Sequence, residues 1–283
     1  MLRVAVPNKG ALAETAAQML AEAGYRGRRD SRTLVSVDNR NEVEFFYLRP
    51  RDIATYVGSG AVDLGITGLD LLLDSVTAAE VLQELQFADS TFRFAAPQHT
   101  ITNLQELAGK RLATSYPKLV GDFLEKQGVA VHLVKLEGAV ESAVRLGIAD
   151  AVADVVSTGS TLRAAGLSIF GPVILESTAV LISNPEIAAD KATAVTKLTK
   201  RINGVLAARN FVMMEYDLEE RKLAAATAVC AGAQAPTVSP LATPGWVAVK
   251  VMVPVAETAE VMDQLADLGA RAIIVTAIHA ARL

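Results

Sequence analysis

Cysteine occurs once in the 283 residues, at Cys230. No intrachain disulfide and no multi-cysteine metal site can therefore form, as expected of a chain that works in the reducing cytoplasm. The three histidines, His99, His132 and His279, lie in no metal-binding spacing such as H-E-x-x-H and read as ordinary polar or capping residues. A basic excess is also missing. The 27 Lys and Arg stand against 31 Asp and Glu, a net charge of −4, so no surplus cation exists to release counterions from a nucleic acid or an anionic membrane. Any anion must be gripped locally. No apolar run reaches the roughly 18 residues of a membrane helix. The opening MLRVAVPNKG enters a strand-like run without the basic and apolar regions of a secretory leader.

What is present is a compact globular composition, 51% apolar and 20% charged. LRVAVP reads as a strand, NKG as a loop and ALAETAAQMLAEAG as an amphipathic helix closed by Gly24. EVEFFYL, RPRDIATYVGSG and AVDLGITG continue the alternation of strand and helix, which predicts a mainly parallel sheet with ligands at the carboxyl ends of its strands. A second α/β lobe is expected from FRFAAP through RLAT, VAVHLVKL, ADAVADVV and TLRAAGL, and then PVILESTAVLISN leads into a long helix that crosses back to the first lobe. The boundaries read as residues 1–90 for the first lobe, completed by about 184–209, residues 91–183 for the second, and residues 210–283 for a tail. The tail has the order βαββαβ, the ferredoxin-like arrangement. Two lobes facing each other make a cleft suited to a small molecule.

The stretch DVVSTGST crowds hydroxyls and one glycine into a strand-to-helix junction. Free amides at a helix start attract an anion, Gly159 admits close approach, and Ser157, Thr158, Ser160 and Thr161 add donors. The same residues serve equally well as simple helix caps. Asp154 repels a phosphate but accepts hydrogen bonds from sugar hydroxyls or holds a hydrated Mg²⁺, which favours a sugar phosphate over bare phosphate. Lys9 and Arg49 are candidate phosphate partners, or else surface ion pairs.

Taken with GKRLATSYP, FFYLRPRDIATYVGSG and DLGITGLD, this loop resembles the ATP phosphoribosyltransferase family, end to end and in order; APTVSPL and LGARAIIV resemble its long form. The resemblance implies two periplasmic-binding-protein-like lobes and a C-terminal ferredoxin-like regulatory domain. It implies the first step of histidine biosynthesis, joining N1 of ATP to C1 of phosphoribosyl pyrophosphate with Mg²⁺. By the same resemblance Asp154, Ser157, Thr158, Gly159, Ser160 and Thr161 hold the phosphoribosyl donor, Asp154 also meeting the metal, while Lys9, Gly10, Leu12, Arg49, Asp70 and Tyr116 line the ATP side. Asp154, Lys9 and Arg49 are the residues implied to act in catalysis, and Asp217, Ala233, Thr237 and Ala272 mark a pocket for histidine as inhibitor. A cytoplasmic homo-oligomer, dimer to hexamer, is implied as well, with neither nucleic acid nor membrane as partner.

Some positions depart from the family pattern. Ser160 and Leu69 stand where many relatives carry a basic residue, STA replaces SEA at Ser177, and CAG replaces TPG at Cys230. Leu12 and Leu69 suit an apolar wall for adenine, or plain core packing. Two other functions share the layout: a solute-binding module, and a catalytically silent regulatory subunit. Release of pyrophosphate separates the enzyme from the binder.

Overall fold

The computed structural model describes every residue except Arg29, Ser31, Ala233, Gln234 and Leu283. The chain divides into two compact units, residues 1–21 with 25–195, and residues 22–24 with 196–283.

In the first unit β1 (Leu2–Pro7), α1 (Ala11–Glu22), β2 (Val35–Asp38), β3 (Val43–Leu48), α2 (Pro50–Gly58), β4 (Leu64–Gly68), α3 (Leu69–Ser75) and β5 (Glu80–Glu84) form the first lobe. In its parallel core, β3, β1 and β4, the strands β1 and β4 have the near-continuous apolar character of strands covered on both faces, while β3 alternates. The second lobe holds β6 (Ser90–Pro97), β7 (Arg111–Thr114), α4 (Pro117–Lys126), β8 (His132–Lys135), α5 (Ser142–Arg145), β9 (Ala151–Val156), α6 (Ser160–Ala164) and β10 (Leu167–Ser177), in the strand order β10-β6-β9-β7-β8. The stretch read as one strand, PVILESTAVLISN, is two. After Thr178, β11 (Ala179–Ser183) leaves the second sheet and runs antiparallel between β4 and β5, giving the first sheet the order β2-β3-β1-β4-β11-β5.

That insertion corrects the expected boundary at residue 183: the return to the first lobe is made by a strand, and all five residues of β11 are buried in the sheet's interior. It also corrects the expected role of the long helix, α7 (Ala192–Asn210), which from Thr196 onward belongs to the second unit. Its apolar side chains Leu198, Ile202, Val205 and Leu206 are buried. β12 (Phe211–Glu219), α8 (Leu223–Val229), β13 (Thr237–Pro240), β14 (Trp246–Pro254), α9 (Thr258–Asp267) and β15 (Arg271–Ala277) complete that unit. The four strands are antiparallel in the order β13-β14-β12-β15, the ferredoxin-like topology. Met214, Tyr216, Leu218, Val249 and Val251 alternate inward from β12 and β14 to form its core.

One glycine fixes how closely α2 lies on the first sheet. A Cβ at Gly65 of β4 would stand 2.5 Å from Ile53 Cγ2 and 2.9 Å from Val57 Cγ2. Gly65→Ala is therefore expected to force α2 outward and destabilise the protein by about 1–3 kcal/mol, read as a Tm lowered by roughly 2–4 °C for each kcal/mol. An unchanged melting curve would show that this contact yields freely.

Candidate active site

The two lobes are joined by two short segments, residues 85–89 between β5 and β6 and Thr178 between β10 and β11. Beside these crossings lie two cavities that share Ser90, Ser157, Ser177 and Thr178. The smaller, of about 330 Å³, is lined by Lys9, Gly10, Leu12, Asp70 and Tyr116 as well as Ser157. The larger, of about 530 Å³, runs past Leu69, Val156 and Ser157 and carries Glu84, Asp89 and Glu176 on its walls. Five of the six positions expected on the ATP side thus surround one space, with the start of the Ser/Thr loop at its edge.

Each arrives there for a local reason. Lys9 and Gly10 form the turn at the carboxyl end of β1, and Leu12 opens α1 behind them. Asp70 is in the first turn of α3; its backbone amide donates to Ser177 Oγ at 3.1 Å, and that hydroxyl donates back to Asp70 Oδ1 at 2.8 Å. Buried except toward the cavity that it lines, the Asp70 carboxylate keeps its place through this bond. Tyr116 ends the β7 turn as the N-cap of α4, with Phe92 packed edge-on at 5.0 Å. Burial pushes its phenol up, and the Asp70 carboxylate that it meets pushes the same way.

Asp154 lies in β9, in register with Arg93 of β6, half-buried, with the Val155 amide donating to its Oδ1 at 2.8 Å. Burial pushes its carboxyl up to about 6; Glu141 and Asp70 reinforce that shift, while the Val155 amide and Arg51 oppose it. The loop that follows turns at Gly159, whose φ of +69° is left-handed, into the five-residue α6. So short a helix has a weak macrodipole, which corrects the emphasis on a helix mouth: the donors that count are individual groups. Thr158 and Ser160 pair their hydroxyls at 3.0 Å, and both, like Thr161, are exposed.

Arg49 is the exception among the residues expected on the ATP side, and of those expected to hold the donor only Ser157 lines a cavity, while Asp154, Thr158, Gly159, Ser160 and Thr161 line neither. Pro50 at the helix start makes Arg49 the N-cap of α2, exposed, and it lines neither cavity. The arginine two residues on, Arg51, instead places its guanidinium 4.5 Å above the Tyr116 ring. Sequence reading also passed over Arg163, whose Nη1 would lie 3.2 Å from a Cβ at Gly159 and which has no side-chain partner among the described residues. It brings a positive charge to a loop whose Ser160 lacks one. Asn8, with a buried Oδ1 that accepts no hydrogen bond among the described residues, is a third. Its position beside Lys9 in NKG was the available signal.

For Mg²⁺, the expected ligand Asp154 lies on β9 just before the hydroxyl-bearing loop, and Asp70, Glu84, Asp89 and Glu176 are the carboxylates on the cavity walls. No group of three or more His, Cys, Asp or Glu residues placed to hold a metal occurs among the described residues. Scattered donors of this kind fit an ion that arrives on the phosphates of a substrate, since Mg²⁺ keeps most of its ligands as water and phosphate oxygens. In the second unit Asp217 and Thr237 lie on the same, outer face of the sheet, opposite Ala248 and Lys250 of β14 respectively. Ala272, with φ +50°, is exposed on β15, and Ala233 lies outside the described residues.

Residues 49–204 match the family model described as ATP phosphoribosyltransferase, and residues 208–280 match the HisG C-terminal domain. An ATP phosphoribosyltransferase of Arthrobacter sp. (strain FB24) is 57% identical over the whole of both chains, and one of Kocuria rhizophila is 58% identical over the same extent. Among solved structures, the ATP phosphoribosyl transferase (HisG:HisZ) complex from Thermotoga maritima is similar with a TM-score of 0.63 at 27% identity, over 72% of this chain and 96% of that one. The chain belongs to the ATP phosphoribosyltransferase family in its long form, which makes it a glycosyltransferase-class enzyme.

Proposed function

We propose that the protein joins N1 of ATP to C1 of phosphoribosyl pyrophosphate, and that histidine inhibits it through the second unit. The observation that carries the reading is the single cavity bounded by Lys9, Gly10, Leu12, Asp70 and Tyr116 and edged by Ser157. It offers a cation, an apolar wall and an aromatic ring for a nucleotide next to a hydroxyl-rich loop for a sugar phosphate. N1 of the adenine supplies an electron pair to C1 as the C1–O bond breaks, and that bond's pair leaves with pyrophosphate. Positive charge builds on the ribose and negative charge on the leaving group, so fixed charges lower the barrier more than a strong base would. Asp154, when ionised, accepts from the ribose hydroxyls and sits near the developing cation; Lys9 and Arg163 neutralise phosphate oxygens. Asp154 would be the protein ligand for Mg²⁺, which when bound would add to the neutralisation of the pyrophosphate charge.

Pyrophosphate release from ATP and phosphoribosyl pyrophosphate tests the reaction, and a chain that only binds its ligands gives none. For the regulatory part, removal of residues from Asn210 onward is expected to keep measurable turnover and abolish inhibition by histidine. Undiminished inhibition in the shortened chain would end that assignment. Inhibition requires histidine to bind the less active assembly more tightly than the active one, within the proposed dimer-to-hexamer equilibrium. We place the enzyme in the cytoplasm; no helix among the described residues is long and apolar enough to cross a membrane.

A further inference from the structure

A buried carboxylate in the first lobe ends a helix of the second. Asp74, in the last turn of α3, has a side chain only 9% exposed. A carboxylate so placed is costly unless fully hydrogen-bonded. Three donors meet it: the backbone amides of Lys118 and Leu119 reach Oδ1 at 2.9 and 3.1 Å, and Arg51 Nη1 reaches Oδ2 at 3.1 Å. Those amides belong to the first turn of α4, whose own N-cap residue, Tyr116, makes no side-chain cap. The ten-residue helix thus has its free N–H groups satisfied from the other lobe.

The same carboxylate fixes Arg51, and Arg51 covers the ring of Tyr116. Arg51 is half in water, at 47% exposure, so without Asp74 its long side chain would sample other rotamers and the stack would loosen. Tyr116 is therefore held at the cavity wall by Arg51 on one face, by the edge contact of Phe92, and by its place at the start of the tethered helix.

We propose that Asp74 and Arg51 are positioning residues for the nucleotide acceptor: together they fix Tyr116 against the cavity that takes ATP. The proposal rests on the reading of that cavity given above, and neither residue lines the cavity. Its signature is selective. Arg51→Ala and Asp74→Ala are expected to raise KM for ATP about tenfold while KM for phosphoribosyl pyrophosphate stays within about twofold, because the Ser/Thr loop is untouched. A tenfold change corresponds to about 1.4 kcal/mol, the scale of one partly exposed cation–π contact together with the loss of its tether.

Asp74→Asn keeps an acceptor for the α4 amides but loses the ion pair, and is expected to fall between wild type and Asp74→Ala. Arg51→Lys restores charge but not the flat stacking surface, and is expected to recover ATP affinity only in part. The double variant Arg51→Ala with Asp74→Ala should cost less than the product of the single effects, as for two parts of one device. Initial rates at varied ATP and varied donor are measured for the full chain, with calorimetric titration of ATP alone beside them. Equal increases in both KM values, or multiplicative effects in the double variant, overturn the proposal. Arg51→Ala guards against misfolding, since that side chain is about half in water and lies outside the core. Should the wild-type chain release no pyrophosphate, the reading of the reaction falls, and the calorimetric arm still decides: weaker ATP binding in Arg51→Ala supports positioning, and unchanged or absent ATP binding overturns it.

Discussion

Asp154→Asn is expected to lower kcat/KM by about 10²-fold or more and, at pH 8, to raise the melting temperature. The two effects have one cause. In β9 the carboxyl is held among buried neighbours and near Glu141 and Asp70, which pushes it up to about 6 from an ordinary 3.8. Between those values the folded chain keeps a proton that the unfolded chain has released, so stability falls as pH rises through roughly 4 to 6, and the cost is complete above 6. Asn carries no such cost. After discounting for water that reaches a half-buried group, the gain at pH 8 is about 1–2 kcal/mol. Activity moves the other way, because a carboxylate that accepts from two ribose hydroxyls provides about 1.5–3 kcal/mol per charged hydrogen bond, and their loss multiplies into the stated factor. For the wild type, kcat/KM should fall on the acid side of pH 6, where the free enzyme's Asp154 becomes protonated. A structural aspartate would give the opposite stability result. Asp154→Asn that melts lower at pH 8, or turns over nearly normally, refutes the assignment.

How much of this was legible beforehand depends on the range of the interaction. Buried parallel strands such as LRVAVP and LGITG announce themselves by composition alone, and the βαββαβ tail by its alternation, since these patterns are local. The split of PVILESTAVLISN was not legible. Both halves are apolar and β-prone, and only pairing with β4 and β5, far earlier in the chain, decides that residues 179–183 join the first sheet. The site shows the same divide. Lys9, Gly10, Asp70 and Tyr116 sit at the carboxyl ends of strands, where α/β topology puts ligands; that rule points to the loops NKG and TGLD, and the individual residues, Tyr116 among them, came from the family resemblance. Arg49 and Arg51 flank the same proline, and sequence offers no means of choosing between them; the helix that Pro50 starts turns the second toward Tyr116 and leaves the first in water. Asp74 was invisible for a similar reason, as an aspartate near the end of a short helix reads as solvated until its partners 44 and 45 residues away are known.

Gly159→Val is the second large effect: KM for phosphoribosyl pyrophosphate is expected to rise about 10²-fold, with KM for ATP changed only a few-fold. The residue is buried and holds φ at +69°, where a side chain costs roughly 1–2 kcal/mol and a β-branched one more. Space adds to the strain, since a Cβ there would lie 3.2 Å from Arg163 Nη1 and 3.7 Å from Val156 Cγ1. The chain relieves both by abandoning the left-handed turn. That turn sets the amides of Thr161 and Leu162 ahead of the first hydrogen bond of α6, donated by Arg163 to the Gly159 carbonyl at 3.1 Å, and so leaves them free for an anion. Two charge-assisted bonds lost at about 1.5 kcal/mol each account for the factor. Gly159→Ala, with less bulk, should fall near tenfold, and Arg163→Ala, which removes the charge but leaves the turn, should also weaken donor binding without touching ATP. Initial rates at saturating ATP and varied donor measure all three. If the valine variant keeps its donor affinity, the phosphate is held by something other than this loop, and the hydroxyls of Ser157, Thr158, Ser160 and Thr161 revert to the plain capping role that their sequence equally allows.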